Sequence, residues 1–213
     1  MPKMPPPRQR PLVTPLAAAA LKPVFVDLAD EHYRVRTLRP QEVNDDIATW
    51  LTDPAVMEGL NAPRKAMGLE AFRTYVASFD NLRRNLVAIR RREDDAALGL
   101  LVLEVDLRHR LGSLHVIIGE SGSRGQKMAQ HASLLLVRHF FADRKLEKLT
   151  FQPFARNTAA ITACERSGLR LEGVLRAHRI DGRTGERLDQ MLYAITRDEF
   201  AEGDRRGIWA KTA

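Results

Sequence analysis

The chain has 213 residues, 44% of them hydrophobic and 29% charged, and a net charge of +7. It is long enough to bury the core of one domain, and its apolar runs fall short of the roughly 18 residues that a membrane helix needs. The one cysteine, Cys164, excludes an intramolecular disulfide, argues against a cysteine zinc site and points to a reducing cytoplasm. Residues 1–31 read as a basic arm. Lys3, Arg8, Arg10 and Lys22 stand there, no acidic residue precedes Asp27, and seven of the eleven prolines fall between Pro2 and Pro23. That proline density blocks a continuous helix, and with it an amphipathic transit peptide. "LAAAAL" is too short for a signal-peptide core.

The domain is expected over 32–202, with 203–213 as a tail. "YRVRTL" alternates with period two and stops at Pro40, which predicts a strand. "QEVNDDIATWL" and "GLEAFRTYVASF" carry helical spacing. "LVAIRRR", "LGLLVLEVDL" and "SLHVIIGE" predict three successive strands turned at "EDDA" and "RHRLG". Met128, Ala132, Leu135, Leu136 and Phe140 then form one apolar helical face. "KLTFQPFA" predicts a strand and "NTAAITACERSG" a short helix. "RLEGVLRAHRI" and "RLDQMLYAI" form a hairpin around "DGRTGE". Helices among hairpin-linked strands define an α+β class.

Between the strand "SLHVIIGE" and its helix lies "SRGQKMA". A P-loop would need Gly-Lys-Ser/Thr there and a dinucleotide fingerprint G-x-G-x-x-G, and neither is present. Backbone N–H groups that run into a helix N-terminus nevertheless suit a pyrophosphate, and the basic balance of the chain favours such an anionic partner.

With the downstream segment "NTAAITACERSGLRLEGVLR", this loop resembles the GNAT superfamily of acetyl-CoA-dependent N-acetyltransferases over roughly residues 32–200. In that family an R/Q-x-x-G-x-G/A loop holds the cofactor pyrophosphate, and a later helix reads N-x-x-A-x-x-x-Y-E-K-x-G-F. Here the loop is Arg124, Gly125, Gln126, Lys127, Met128, Ala129, and the helix supplies Asn157, Ala160, Cys164, Glu165, Arg166, Gly168 and Leu169. The tail looks like the branch that acetylates ribosomal-protein N-termini and, nearby, spermidine. The resemblance implies a mixed, mostly antiparallel sheet of about seven strands, splayed at the centre and flanked by four helices. It also implies acetyl-CoA as co-substrate, no metal, and an amine acceptor on a protein N-terminus or small molecule.

Three positions depart from the family pattern: Lys127 replaces a glycine, Cys164 the tyrosine and Leu169 the phenylalanine. Lys127 either adds its charge to the pyrophosphate or stays solvated. Cys164, at the position of the family's general acid, either protonates the leaving thiolate or only packs. By the same resemblance Val116, Ile117 and Ile118 line the pantetheine arm, a backbone N–H of their strand polarises the thioester carbonyl, and Asn157 caps its helix or touches the cofactor. His115, Glu104 and His178 are the candidate bases.

An α-amine with a pKa near 8 is far more often neutral at pH 7 than a lysine near 10.4, which favours an N-terminal or small-molecule α-amine. A protein-lysine or antibiotic acetyltransferase, or a non-catalytic acyl-CoA sensor, would use the same scaffold. Few aromatics accompany the basic residues, so specific nucleic-acid recognition is not expected. Nor is membrane binding; the chain is expected as a monomer or homodimer.

Overall fold

The computed structural model describes residues 22–61, 67–120, 122 and 127–206. Eight strands form one sheet: β1 (Asp27–Ala29), β2 (Tyr33–Thr37), β3 (Arg84–Arg91), β4 (Ala97–Asp106), β5 (Leu111–Ile118), β6 (Lys148–Phe151), β7 (Arg170–Ile180) and β8 (Arg187–Thr196). Their spatial order is β1-β2-β3-β4-β5-β6-β8-β7. Every pairing is antiparallel except β5 with β6. That parallel pair needs a crossover, which helix α4 (Met128–Ala142) supplies.

Two cores sandwich the sheet. On one face Met128, Ala132, Leu136 and Phe140 of α4 pack against Val87, Leu101, Leu103 and Leu114. On the other, Ile47, Trp50, Val56, Phe72 and Val76 pack against Leu86, Ala88, Leu100 and Ile117. Neighbours in β3 thus face opposite cores, which explains why "LVAI" is apolar without alternation.

Those second-face residues come from α1 (Asp45–Thr49), the turn Trp50–Thr52, α2 (Pro54–Leu60) and α3 (Leu69–Ala77). The helical reading of "QEVNDDIATWL" becomes a tight turn at Pro40–Glu42, α1 and a second tight turn. Asn44 caps α1 through Ile47 N, and Asp53 caps α2 through Ala55 N with Pro54 in the first turn. The remaining helices are α5 (Thr158–Arg166) and α6 (Arg197–Arg205), the latter opened by a Thr196–Glu199 capping box.

Among the described residues the counts therefore exceed expectation, with eight strands rather than about seven and six helices rather than four. The additions are β1, too short to show alternation, and the short helices α2 and α6. β1 begins at Asp27, inside the segment assigned to the arm, and Val26 is buried in the core; α6 crosses residue 203. Residues 1–21 of the arm and 207–213 of the tail lie outside the described residues.

Gly119 follows β5 directly. A Cβ there would lie 1.9 Å from Trp50 Cδ2, so the bare backbone is what lets the indole pack against the strand end.

Candidate active site

β5 and β6 pair only from Leu111 to Ser113, against Lys148 to Thr150. β5 then continues beside β4 as far as Ile118, whereas the chain after β6 turns to β8, through Met191 N to Pro153 O (2.9 Å) and a bridge between Phe154 and Gln190. The two strands part, and one edge of β5 has no strand partner beyond Ser113 among the described residues.

The ladder fixes which groups that edge presents. Arg110 O accepts from Glu147 N (2.9 Å) and Gly112 O from Thr150 Oγ1 (3.1 Å), both on the β6 side. Gly119 N donates the other way, to Leu98 O (3.0 Å). Strand alternation therefore turns the C=O of Leu114 and the N–H and C=O groups of Val116 and Ile118 into the gap, while the Leu114 N–H belongs to the last rung of the β6 ladder.

The gap opens into a cleft of about 1090 Å³, walled by β5, α4, the Phe151–Phe154 segment and α5, with Ala55 and Gly59 of α2 at one end. Its polar lining includes Lys127, Gln130, Asn157, Ser167 and Gln190. Its charged lining is Lys127, Arg166 and Arg179, all cations, and no carboxylate lines it among the described residues.

The expected cofactor residues largely converge here. Val116, Ile117, Ile118, Lys127, Ala129 and Asn157 line the cleft. Lys127 takes right-handed helical angles (φ −70°, ψ 0°) as the residue before α4, as a lysine must where a glycine is replaced. Met128 lies outside the lining because its side chain is wholly buried in the core. Arg124, Gly125 and Gln126 lie outside the described residues. Asn157 caps α5 by accepting from Ala160 N at 3.0 Å. Its Nδ2 remains a donor and lies beside Gly59, 3.9 Å from where a Cβ on that glycine would be.

Cys164 lines the same cleft but is buried, and burial, reinforced by Glu165, pushes its thiol pKa up to about 12. Giving its proton to a thiolate of ordinary basicity, near 8.5, is steeply uphill. Cys164→Ala should therefore leave kcat within about threefold of the parent, with a modest loss of Tm from the small cavity. A tenfold fall in kcat with KM for the acyl donor unchanged would restore the cysteine as acid.

Of the three candidate bases, the cleft includes one. His115 lines it, while Glu104 and His178 do not and both are exposed to solvent. His115 projects from the face of β5 opposite Leu114 and Val116, with Ser113 Oγ 3.5 Å from its Nε2. Glu104 stands across the ladder from Ser113, 4.0 Å from Arg84 Nε. His115 keeps one side open to solvent, yet desolvation by its surroundings lowers its pKa, opposed by Glu104 and assisted by Arg179. The imidazole is therefore neutral at pH 7 and can accept a proton.

Among the cleft residues that sequence reading missed are Arg179 and Gln190. It also missed a clamp at the α2 end, where the half-buried Arg156 pairs with the buried Asp181 in the β7–β8 turn and donates to Glu58 O (3.2 Å). Asn61 joins the clamp, with its Nδ2 donating to Ile180 O (2.8 Å).

A half-parted sheet beside a cation-lined cleft offers unpaired backbone groups and positive charge to an extended anionic ligand. Residues 34–170, well over half of the chain, match the acetyltransferase (GNAT) domain, and the chain belongs to that family. It is accordingly an N-acetyltransferase.

Among solved structures it is similar to a GCN5-related N-acetyltransferase from Brucella melitensis (17% identity, 91% of this chain and 88% of that one, TM-score 0.76). It is also similar to a spermidine N-acetyltransferase from Vibrio cholerae in complex with CoA and spermine (16%, 81% and 99%, TM-score 0.71). A third is the ribosomal-protein-S5-alanine acetyltransferase from Vibrio fischeri (14%, 82% and 98%, TM-score 0.70). At these identities the likeness is one of fold.

Proposed function

We propose that the chain transfers an acetyl group from acetyl-CoA to an α-amine, on a peptide or protein N-terminus or a small molecule. The observation that carries this reading is the inner edge of β5, unpaired beyond Leu114 among the described residues, whose N–H groups at Val116 and Ile118 face the cleft. An extended chain with amides, such as a pantetheine arm, can satisfy that edge as a strand would, and one N–H is left to stabilise a developing oxyanion. Lys127 and the start of α4 suit the phosphates at the far end. In the reaction the amine nitrogen bonds to the acyl carbon, the carbon–sulfur bond breaks, the amine proton passes to His115, and solvent protonates the thiolate. The lining supplies no carboxylate for a polyamine, so spermidine should be a poor acceptor.

His115 as base gives a pH signature. The lowered pKa keeps the base form populated, so the acid limb of kcat/KM should fall below pH 6.5. Glu104→Gln should move that limb lower still, because it removes the charge that favours the imidazolium. A limb that ignores Glu104→Gln and survives His115→Gln would remove His115 from the reaction.

The direct test offers acetyl-CoA with N-terminal peptides, lysine peptides and small amines and follows acetylation by mass. Gain of an acetyl group on α-amines is expected, together with a rise in Tm at millimolar acetyl-CoA. No acetylation of any amine and no thermal shift would overturn the reading.

A further inference from the structure

The geometry points to Arg179 as the residue that selects the acceptor, and to an acceptor that carries a carboxylate close to its reactive amine; this rests on the acetyl-transfer reading above. The three cations of the lining fall into two groups. Lys127 and Arg166 lie where α4 begins and α5 ends, a junction held by Gln130 Nε2 donating to Ser167 Oγ (3.3 Å). Asn157, at the start of α5, lies beside Gly59 of α2. α5 separates Asn157 from Arg166 by about 13 Å at 1.5 Å per residue. A phosphate-bearing donor accounts for the first group.

Arg179 belongs to the acceptor's side of the sheet. It pairs with Leu188 in the β7–β8 ladder, and Leu175 pairs with Gln190, so Arg179 and Gln190 share one face. Through the ladders of Thr150 with Ala194 and with Ser113, that face is also the one that carries His115. Arg179 is close enough to His115 for its charge to act on the imidazole.

No carboxylate pairs with Arg179 among the described residues, whereas Arg156 and Arg183 at the same end of the sheet each have one. The undescribed segments contain no aspartate or glutamate that could supply one. A guanidinium in a cleft without carboxylates is a site for an anion brought by the ligand.

Gln190 supplies an independent observation at the same end. It is 5% exposed, its Nε2 donates to Gln152 O at 2.8 Å, and its buried Oε1 has no hydrogen-bond partner. An orphaned buried acceptor is costly unless something donates to it. An amine or peptide N–H of the acceptor fits that role, with the acceptor's carboxylate on Arg179. A polycation fits neither residue.

Two sets of acceptors test this with acetyl-CoA, each kcat/KM being referred to the neutral form of the amine so that differences in basicity cancel. The first is the tripeptide amides Ala-Glu-Ala, Ala-Gln-Ala and Ala-Lys-Ala, and the second is alanine against alaninamide. The expected result is a kcat/KM at least about tenfold higher for the carboxylate-bearing member of one set. The peptide set assigns the carboxylate to a side chain, the amino-acid set to the α-carboxyl group. In Arg179→Gln that ratio should collapse towards one.

Ratios near one in both sets of the parent, a preference for Ala-Lys-Ala, or a preference that survives Arg179→Gln would each overturn the inference. Calorimetry of the N-acetylated forms binding to CoA-loaded protein asks the same question without turnover. A failure of acetylation altogether is thereby kept apart from a failure of Arg179: tighter binding of the carboxylate-bearing form, lost in Arg179→Gln, supports the inference, and equal binding overturns it.

Discussion

Val116→Pro should lower kcat/KM by at least about 100-fold while the protein remains folded. Proline removes one N–H, and at Val116 that N–H faces the gap between β5 and β6 and takes no part in the β4 ladder. Beyond Ser113 the strand behaves on that side as an edge, where proline is tolerated. Loss of a single donor that stabilises a developing oxyanion costs about 10²–10³ in rate, and loss of a contact to the donor's pantetheine arm would add to this. Val116→Ala is the control for side-chain loss. At Ile117, whose N–H lies on the β4 side, the same substitution should break the sheet. Far-UV circular dichroism separates folding from function. Normal turnover in a folded Val116→Pro protein would show that this edge does not hold the acyl donor.

Arg156→Met should be the most destabilising single change outside the cores. Asp181 is 4% exposed and accepts from Arg156 and from the backbone N–H of Arg183 at 2.8 Å. Removal of the guanidinium strands the carboxylate in a dry site, which costs about 3–5 kcal/mol. For a domain of this size that corresponds to a fall in Tm of roughly 10 °C. The double variant Arg156→Met/Asp181→Asn should recover at least half of the loss, because the amide oxygen keeps the backbone donors and leaves no charge unpaired. A single variant that melts within about 2 °C of the parent would show that the pair is effectively solvated. The clamp also joins the β7–β8 turn to α2, so KM for the acceptor should rise more than KM for acetyl-CoA.

The sheet and its main crossover were legible because their signals are local. A period-two run marked β2, the turn "DGRTGE" marked the β7–β8 hairpin, and the apolar stripe from Met128 to Phe140 marked α4. Asn157 and Cys164 were legible as cleft residues through the family pattern, and the burial that raises the thiol pKa was not. The faces of the strands could not be counted from sequence. Between Leu175 and Arg179 the β7–β8 register shifts, so that four positions on β7 span two on β8. That shift decides where Arg179 stands. Glu104, His115 and His178 looked equivalent as bases, because only the assembled sheet puts His115 in the cleft and leaves the other two in solvent. Asp181 lay in a turn that reads as surface, and its burial depends on Arg156 and Asn61, distant in sequence.

The half-joined seam between β5 and β6 also sets a rhythm in time. Amide protons of Ser113, His115 and Ile117 lie on the β4 side and that of Leu114 in the β6 ladder, shielded whether or not a ligand is present, whereas those of Val116 and Ile118 depend on whatever fills the cleft. Hydrogen exchange along this strand should therefore alternate, slow and fast, in the ligand-free protein. Acetyl-CoA should flatten the alternation by slowing every second amide. The acyl donor would then act as a removable strand, and the free enzyme as a sheet that waits for one.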